Sequence, residues 1–166
     1  PSTSGNAADY VKWALEVPGV GDVKVFPLWD GPGTVKLLIV DSNMEIDETL
    51  EQAVYEHIET IRPIGATVTV DSPIEKAINV SAYVILDGSK TLEEVEAEFI
   101  NAFTEYLKST VFETYTVSYA RIGSILLSTS GVADYSDLLV NNGTSNITID
   151  DDEMPIAGTV TLTEVV

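Results

Sequence analysis

Residues 78–94 read INVSAYVILDGSKTLEE. Apolar side chains occupy every second position from Ile78 to Leu86, which predicts a strand with one buried face. The segment Asp87–Lys90 has the composition of a turn. Thr91 and Glu94 then have the spacing of a capping box, in which each residue bonds the backbone of the other at the start of a helix. This stretch therefore predicts a strand, a turn and a helix in direct succession.

The helix that begins at Thr91 has an apolar stripe at helical spacing, and a short β-rich run, Tyr115–Tyr119, follows it. The stripe is predicted to be buried and consists of Leu92, Val95, Phe99, Ala102, Phe103, Tyr106 and Leu107.

The first half of the chain has the same order of elements, at an offset near 43 residues. Val35–Val40 is a strand pattern and Thr67–Val70 is another. Between them, Asp47 to Arg62 is an amphipathic helix with its apolar positions at Leu50, Ala53, Val54, Ile58 and Ile61. Asp47 or Thr49 is suited to cap it, and Pro63 ends it. Two packed α/β units follow from this repetition.

Other elements are predicted around these two units. A helix at 9–16, capped by Asp9, precedes the first unit, and a hairpin joins Val23–Phe26 to the strand at 35–40. In the second half, Arg121–Leu127 has the pattern of a short helix, and Asn142-Gly143 that of a left-handed turn. The runs Ile147–Ile149 and Thr159–Thr163 are predicted to pair as a terminal hairpin.

The predicted fold class is therefore α+β: two small strand-helix-strand units with mixed and antiparallel sheets, an N-terminal helix and a C-terminal β-hairpin. Asp71-Ser72-Pro73 is the best boundary between the units. This boundary predicts domains at residues 1–72, with the N-terminal helix and hairpin, and at 73–166, with the terminal hairpin. The opening Pro1-Ser2-Thr3-Ser4-Gly5 lacks a methionine, which suggests a piece of a longer polypeptide.

The composition excludes several classes of function. With 45% hydrophobic residues and a mean hydropathy of +0.16, the chain can fold in spite of a net charge of −19. The eight bases against 27 acids argue against nucleic acid and anionic membranes as partners, because both attract positive charge. The absence of cysteine excludes disulfides, thiolate catalysis and cysteine-ligated metals.

No group of residues has the pattern of a catalytic or cofactor site, so we expect no enzyme activity and no cofactor. His57 is the only histidine and lies at the edge of a helix stripe, which favours a surface position. Glu93, Glu94, Glu96 and Glu98 fall mainly on the polar face of the second helix, where carboxylates are ordinarily solvated.

One alternative function rests on the densest acidic cluster, Asp150, Asp151, Asp152 and Glu153. Carboxylate oxygens bind hard cations such as calcium, and these residues are the candidate metal ligands. However, an EF-hand loop needs acids at alternate positions and a central glycine, whereas this run is consecutive and leads into Met154-Pro155. A solvated turn is the simpler interpretation, and a module for divalent cations or small ligands is the alternative.

Short motifs along the whole chain resemble, in the same order, the C-terminal region of the baseplate J-like proteins of contractile-tailed phages and prophages. None of the motifs is specific by itself, but their shared order is. They are Gly5–Tyr10 with Trp13-Ala14, Val17–Gly21, Gly31–Val35, Pro63–Ala66, Tyr119–Gly123, Gly131–Tyr135, Val140–Gly143, Ile147–Ile149 and Glu153–Pro155.

This resemblance implies a structural component of the tail baseplate that acts in baseplate assembly through contacts with other baseplate and tail subunits. It implies no catalytic residue. The expected location is the virion tail baseplate, and the bacterial host cytoplasm during assembly, with oligomers only in the assembled plate. We expect the excess of acid to keep unassembled subunits apart and to favour basic faces on partners.

Overall fold

A computed structural model describes residues 6–166. Residues 1–5, which include Gly5 of the first motif, lie outside the described residues. The chain divides into two compact units, one ending at Ile74 (unit 1) and one at Glu75–Val166 (unit 2). Four helices and eight strands occur between residues 6 and 166, and the strands form small mixed and antiparallel sheets. The predicted α+β class is confirmed, while folding of 1–72 and 73–166 as separate domains stays a prediction.

Unit 1 is a three-stranded sheet with two helices. Its elements are α1 (Ala7–Leu15), β1 (Val20–Pro27), β2 (Thr34–Asp41), α2 (Glu48–Glu59) and β3 (Thr67–Asp71). The strand order is β1-β2-β3, with β1 and β2 antiparallel and β2 and β3 parallel. Helix α2 is the crossover that a parallel pair requires. The predicted hairpin and helix of this half are therefore both present.

The helices of unit 1 begin where side chains satisfy their first amides. Of the two caps predicted for α2, Asp47 and Thr49, the structure has Asp47, whose Oδ1 accepts from the amide of Leu50 at 3.1 Å. For α1 the prediction was wrong: the cap is Asn6, whose Oδ1 accepts from the amide of Asp9 at 2.9 Å. Asp9 lies in the first turn instead, where its charge suits the positive end of the helix dipole.

The core of unit 1 combines the inner faces of both helices with the covered face of the sheet. Its buried residues include Tyr10, Ala14, Val35, Leu37, Ile39, Leu50, Val54, Ile58 and Val68. Ile61, which the sequence pattern places on the buried stripe of α2, is instead 38% exposed. The reason is that α2 ends at Glu59, so Ile61 no longer follows the helical period.

Unit 2 contains seven elements. They are β4 (Ile74–Leu86), α3 (Leu92–Thr110), β5 (Thr116–Val117), α4 (Tyr119–Ser128), β6 (Val132–Val140), β7 (Ile147–Thr148) and β8 (Glu153–Glu164). The capping box of α3 is present as predicted, with Thr91 and Glu94 bonding each other's backbone. The buried face of β4 and most of the stripe of α3 belong to the core, in which the rings of Phe99 and Phe103 stack 5.5 Å apart. The prediction was wrong for Ala102, which is exposed because it lies at the edge of the stripe.

The predicted C-terminal hairpin does not form between the expected strands. Strand β7 pairs with β5, and β8 adds to β4, so that the main sheet has the order β6-β4-β8. The amide of Thr159 donates to Asn79 Oδ1 and that of Val165 to the carbonyl of Val84, both at 2.9 Å. The residue numbers of the bonded positions rise together on the two strands, from 79 to 84 and from 159 to 165, so β4 and β8 run parallel. The long strand β4 gains a second partner in this way.

Two local predictions in unit 2 shift in register. The strand expected at 115–119 is only Thr116–Val117, because Ser118 Oγ accepts from the amide of Arg121 at 3.0 Å and begins α4. The left-handed turn lies at Asn141-Asn142, with φ of 47° and 61°, one residue before the predicted pair. Asparagine tolerates this conformation better than most residues do.

Candidate interaction site

The acidic turn before β8 does not bring its carboxylates together. The amide of Asp150 donates to Glu153 Oε1 at 2.7 Å, and the amide of Glu153 donates to the carbonyl of Asp150 at 3.0 Å. The Glu153 carboxylate thus serves as an acceptor inside its own turn. Among residues 6–166, no group of three or more histidine, cysteine or acidic residues is arranged to hold a metal ion. Binding of a divalent cation by this turn, the alternative function, therefore stays a prediction.

His57 lies at the surface of unit 1, where it connects two helices. Its Nε2 is 2.9 Å from Oε1 of Glu16 at the end of α1, and the side chains of the pair are 37% and 44% exposed. Pairs this exposed contribute little to stability because water and salt screen them. His57 therefore forms an exposed surface contact between α2 and the end of α1.

The glutamates of α3 lie on its outer side, as their spacing predicts. Glu93, Glu94 and Glu98 are exposed and Glu96 is half-buried. Glu94 Oε1 accepts from the backbone amide of Thr91 at 3.1 Å, and this hydrogen bond to Thr91 holds the pKa of Glu94 below its usual value. Its role is therefore to cap the helix.

Unit 1 also has a groove of about 350 Å³ between α2 and β3. Glu51, Tyr55 and Val68 are among its lining residues. Burial raises the pKa of Glu51, although the Ser72 hydroxyl, which donates to its Oε2 at 2.7 Å, acts in the opposite direction. Nearby acids, Asp71 first among them, raise it further. The groove is thus acidic and holds a carboxyl with a raised pKa.

The sequence analysis missed a cluster of exposed apolar side chains at one end of unit 1. Leu28, Trp29, Ile61 and Ile64 are 65%, 47%, 38% and 103% exposed. They belong to two loops, 28–33 and 60–66, which come together because β2 and β3 are parallel and start at the same end of the sheet. We call these four residues the loop-end surface. The motifs Gly31–Val35 and Pro63–Ala66 overlap these loops, but nothing in either motif predicts exposure.

A second exposed apolar pair lies in unit 2. Tyr83 and Ile85 on β4 are 44% and 43% exposed, on the side of the strand opposite the buried residues Ala82 and Val84. No helix of the described chain, residues 6–166, is both long and apolar enough to cross a membrane.

Each unit is thus a small sheet packed with helices that also exposes apolar side chains. Two family models match the chain in succession: the baseplate J-like central domain over residues 2–72 and the baseplate J-like C-terminal domain over residues 78–163. The chain belongs to the baseplate J-like family. The resemblance inferred from the short motifs is confirmed.

Several individual proteins are similar along the chain. The phage-like element PBSX protein XkdT of Bacillus subtilis (strain 168) is 34% identical over 171 residues, which cover 98% of this chain and 49% of that protein. Baseplate protein gp47 of Escherichia phage Mu is 28% identical over 173 residues, covering 96% of this chain and 46% of that protein. This chain thus spans about half the length of these relatives.

The fold also matches a solved assembly. One chain of the cryo-EM structure of the anti-feeding prophage (AFP) baseplate, 6-fold symmetrised, superposes with a TM-score of 0.65 at 11% identity. The match covers 92% of this chain and 37% of that one. At this identity, the similarity concerns the fold.

Proposed function

We propose that this chain works in the baseplate of a contractile phage or prophage tail, where it acts in assembly through contacts with neighbouring subunits and catalyses no reaction. The observation that carries the proposal is the succession of the two baseplate J-like domains across almost the whole chain. The likeness of its fold to a chain of an assembled baseplate supports it. The place of action is the virion tail, after assembly in the host cytoplasm.

The polar residues that could serve chemistry have structural roles instead, which supports a non-enzymatic function. Glu94 caps α3, Glu153 closes its turn and His57 pairs with Glu16. The net charge of −19 supports protein partners over nucleic acid or anionic membranes. Oligomers would then form only inside the plate, where neighbours balance this charge.

Deletion of the gene in the phage or prophage that encodes it tests the proposal. Electron microscopy of the induced particles should show tails without complete baseplates, and the intact gene supplied in trans should restore them. A gene carrying His57→Gln and Glu153→Gln should restore them equally, since neither side chain reacts with a substrate. Normal baseplates in the deletion strain would overturn the proposal, and failure of the double variant despite normal folding would reopen the question of catalysis.

A further inference from the structure

We propose that the loop-end surface of unit 1 docks into an uncharged, apolar pocket on a different subunit of the assembly. This inference deepens the proposed function and rests on it, because it assigns one face of the chain to one kind of contact. It starts from four exposed apolar side chains, Leu28, Trp29, Ile61 and Ile64.

Backbone contacts hold the two loops of this surface side by side. The amide of Thr67 donates to the carbonyl of Gly33 at 2.8 Å, and Thr34 pairs with Thr67 where β2 and β3 begin. A side chain added at Gly33 would approach the carbonyl of Gly65 to 3.2 Å. The four apolar side chains therefore share one end of the sheet.

Hydrogen bonds close the loop at 28–33, and the apolar side chains of both loops are exposed. The amide of Leu28 donates to the carbonyl of Thr34 at 2.8 Å, and Thr34 Oγ1 donates to the carbonyl of Gly31 at 2.7 Å. Leu28 is held at φ 58°, a left-handed conformation that costs a branched residue free energy and is typically retained at functional positions. A loop backbone that is already held in one conformation loses little backbone entropy on binding.

The surface is neutral in a chain that is otherwise strongly acidic. Loops 28–33 and 60–66 contain one acid, Asp30, and one base, Arg62. Arg62 forms a bidentate pair with Glu59 at 2.8 and 3.0 Å, and the ammonium of Lys36 lies 5.2 Å from the centre of the Trp29 ring. Depletion of net charge around an aromatic residue is typical of the centre of a protein interface.

Net charge also indicates which kind of protein binds the loop-end surface. A second copy would bring another net charge of −19 to the contact, and two such chains repel each other. The facing surface is therefore expected on another protein that is less acidic. Since Leu28 and Ile64 project into solvent, their receptor is concave; since the loops carry no net charge, its lining is apolar.

Trp29 provides a direct test. The chain has two tryptophans, and in a Trp13→Phe variant Trp29 is the only one left. The products of the tail genes that flank the gene of this chain are purified one by one, and each is titrated into this variant. Docking at the loop-end surface should shift the Trp29 emission to the blue and protect it from acrylamide. Circular dichroism checks that Trp13→Phe leaves the fold intact.

Paired substitutions locate the contact. Leu28→Ser with Ile64→Ser should raise the dissociation rate of the complex at least about tenfold, the typical effect of losing interface hot spots. The matched control, Tyr83→Ser with Ile85→Ser, removes exposed apolar side chains from unit 2 and should leave the rate within about twofold.

The outcomes separate this inference from the proposed function. A complex in which Trp29 stays fully quenchable, or in which only the control pair weakens binding, would overturn the docking surface while the structural role stands. Protection of Trp29 by concentration-dependent self-association would overturn the choice of a different subunit. The absence of any complex with all flanking products would count against the proposed function itself.

Discussion

Asn79 and Asn141 are hydrogen-bonded to each other in both directions. The backbone amide of Asn79 donates to Oδ1 of Asn141 at 2.8 Å, and the backbone amide of Asn141 donates to the carbonyl of Asn79 at 2.9 Å. The Asn79 side chain in turn accepts from the amide of Thr159. This pair therefore joins all three strands of the unit 2 sheet at one end.

Replacing Asn141 should destabilise unit 2 for two separable reasons. Asn141→Ala removes the acceptor for Asn79 and places a Cβ-bearing residue without a local hydrogen bond at φ 47°, so we expect a loss of roughly 1–3 kcal/mol. Asn141→Gly removes the same acceptor without the conformational strain and should cost less. Urea unfolding followed by circular dichroism measures both. Equal stability of the two variants would show that conformation at this position is unimportant.

Because the pKa of Glu51 is raised, a variant without this charge should be more stable than the wild type, by an amount that depends on pH. In the folded chain this carboxyl binds its proton more tightly than in the unfolded chain, mainly because burial disfavours its charge. The charged carboxylate therefore lowers the free energy of unfolding when the pH is above its pKa in the folded chain. This effect disappears as the pH falls below the ordinary glutamate pKa, about 4.3. Glu51→Gln should therefore raise the melting temperature at pH 7, by an amount that declines toward acid pH.

Ser72→Ala serves as the companion variant for this carboxyl. It removes the hydroxyl that donates to Glu51 Oε2 and should raise the pKa of Glu51 further. The advantage of Glu51→Gln should then be larger in the Ser72→Ala background. If Glu51→Gln lowers stability at pH 7, the carboxylate contributes favourably and the assigned cause is wrong.

Gly21 lies where β1 and β2 approach most closely. The register of the pair shifts between Val20 and Asp22, and a Cβ at Gly21 would lie 2.0 Å from the carbonyl oxygen of Asp41. Because that atom belongs to the backbone of a central strand, Gly21→Ala should cost roughly 1–3 kcal/mol, the range typical of overpacking. At Gly143 the nearest atom to an added Cβ is 3.7 Å away, so Gly143→Ala should be nearly neutral. Chemical denaturation that ranks the two variants in reverse would refute the steric argument.

The two units are expected to unfold separately. Ile58→Ala opens a cavity in the core of unit 1 and Ile122→Ala one in that of unit 2, since both side chains are fully buried. Each should cost about 2–5 kcal/mol, and each should lower only the calorimetric transition of its own unit. A single transition that both substitutions lower equally would mean that residues 1–72 and 73–166 fold as one cooperative body.

Calcium provides a test of the acidic turn. Because Glu153 already accepts a hydrogen bond from Asp150, we expect only weak, unsaturated heats when calcium is titrated into the chain at pH 7. The variant Asp150→Asn with Asp152→Asn should behave in the same way. A saturable micromolar site that this variant abolishes would favour the cation-binding alternative.

Local signals in the sequence predicted the helices well. The Thr91 and Glu94 pair lies within one helical turn of the amides it satisfies, so the spacing alone identified the start of α3. For α2 the spacing left Asp47 and Thr49 as alternatives, and the structure selects Asp47. The buried faces of α3, apart from Ala102, and of β4 followed from their periods. The cap of α1 was missed because Asn6 and Asp9 are both good caps in sequence, and only the backbone conformation at Asn6 decides between them.

Pairings between distant segments could not be predicted in this way. Ile147 pairs with Val117 and β8 with β4, and each of these pairings joins segments that are distant in the chain, where no local signal names the partner. The loop-end surface was missed for a related reason. Leu28 and Ile64 are far apart in the chain, and only the parallel pairing of β2 and β3 places their loops together.

The order of the strands also has a consequence during synthesis on the ribosome. All three strands of the unit 1 sheet have been translated once Asp71 is added, before β4 begins at Ile74. In unit 2, β4 is complete at Leu86, but β8, which pairs with one of its edges, begins only at Glu153. An unpaired strand edge is a template for aggregation. We therefore expect the nascent chain to expose an unpaired edge of β4 throughout the translation of the segment between Leu86 and Glu153, whereas every strand of the unit 1 sheet already has its partner available.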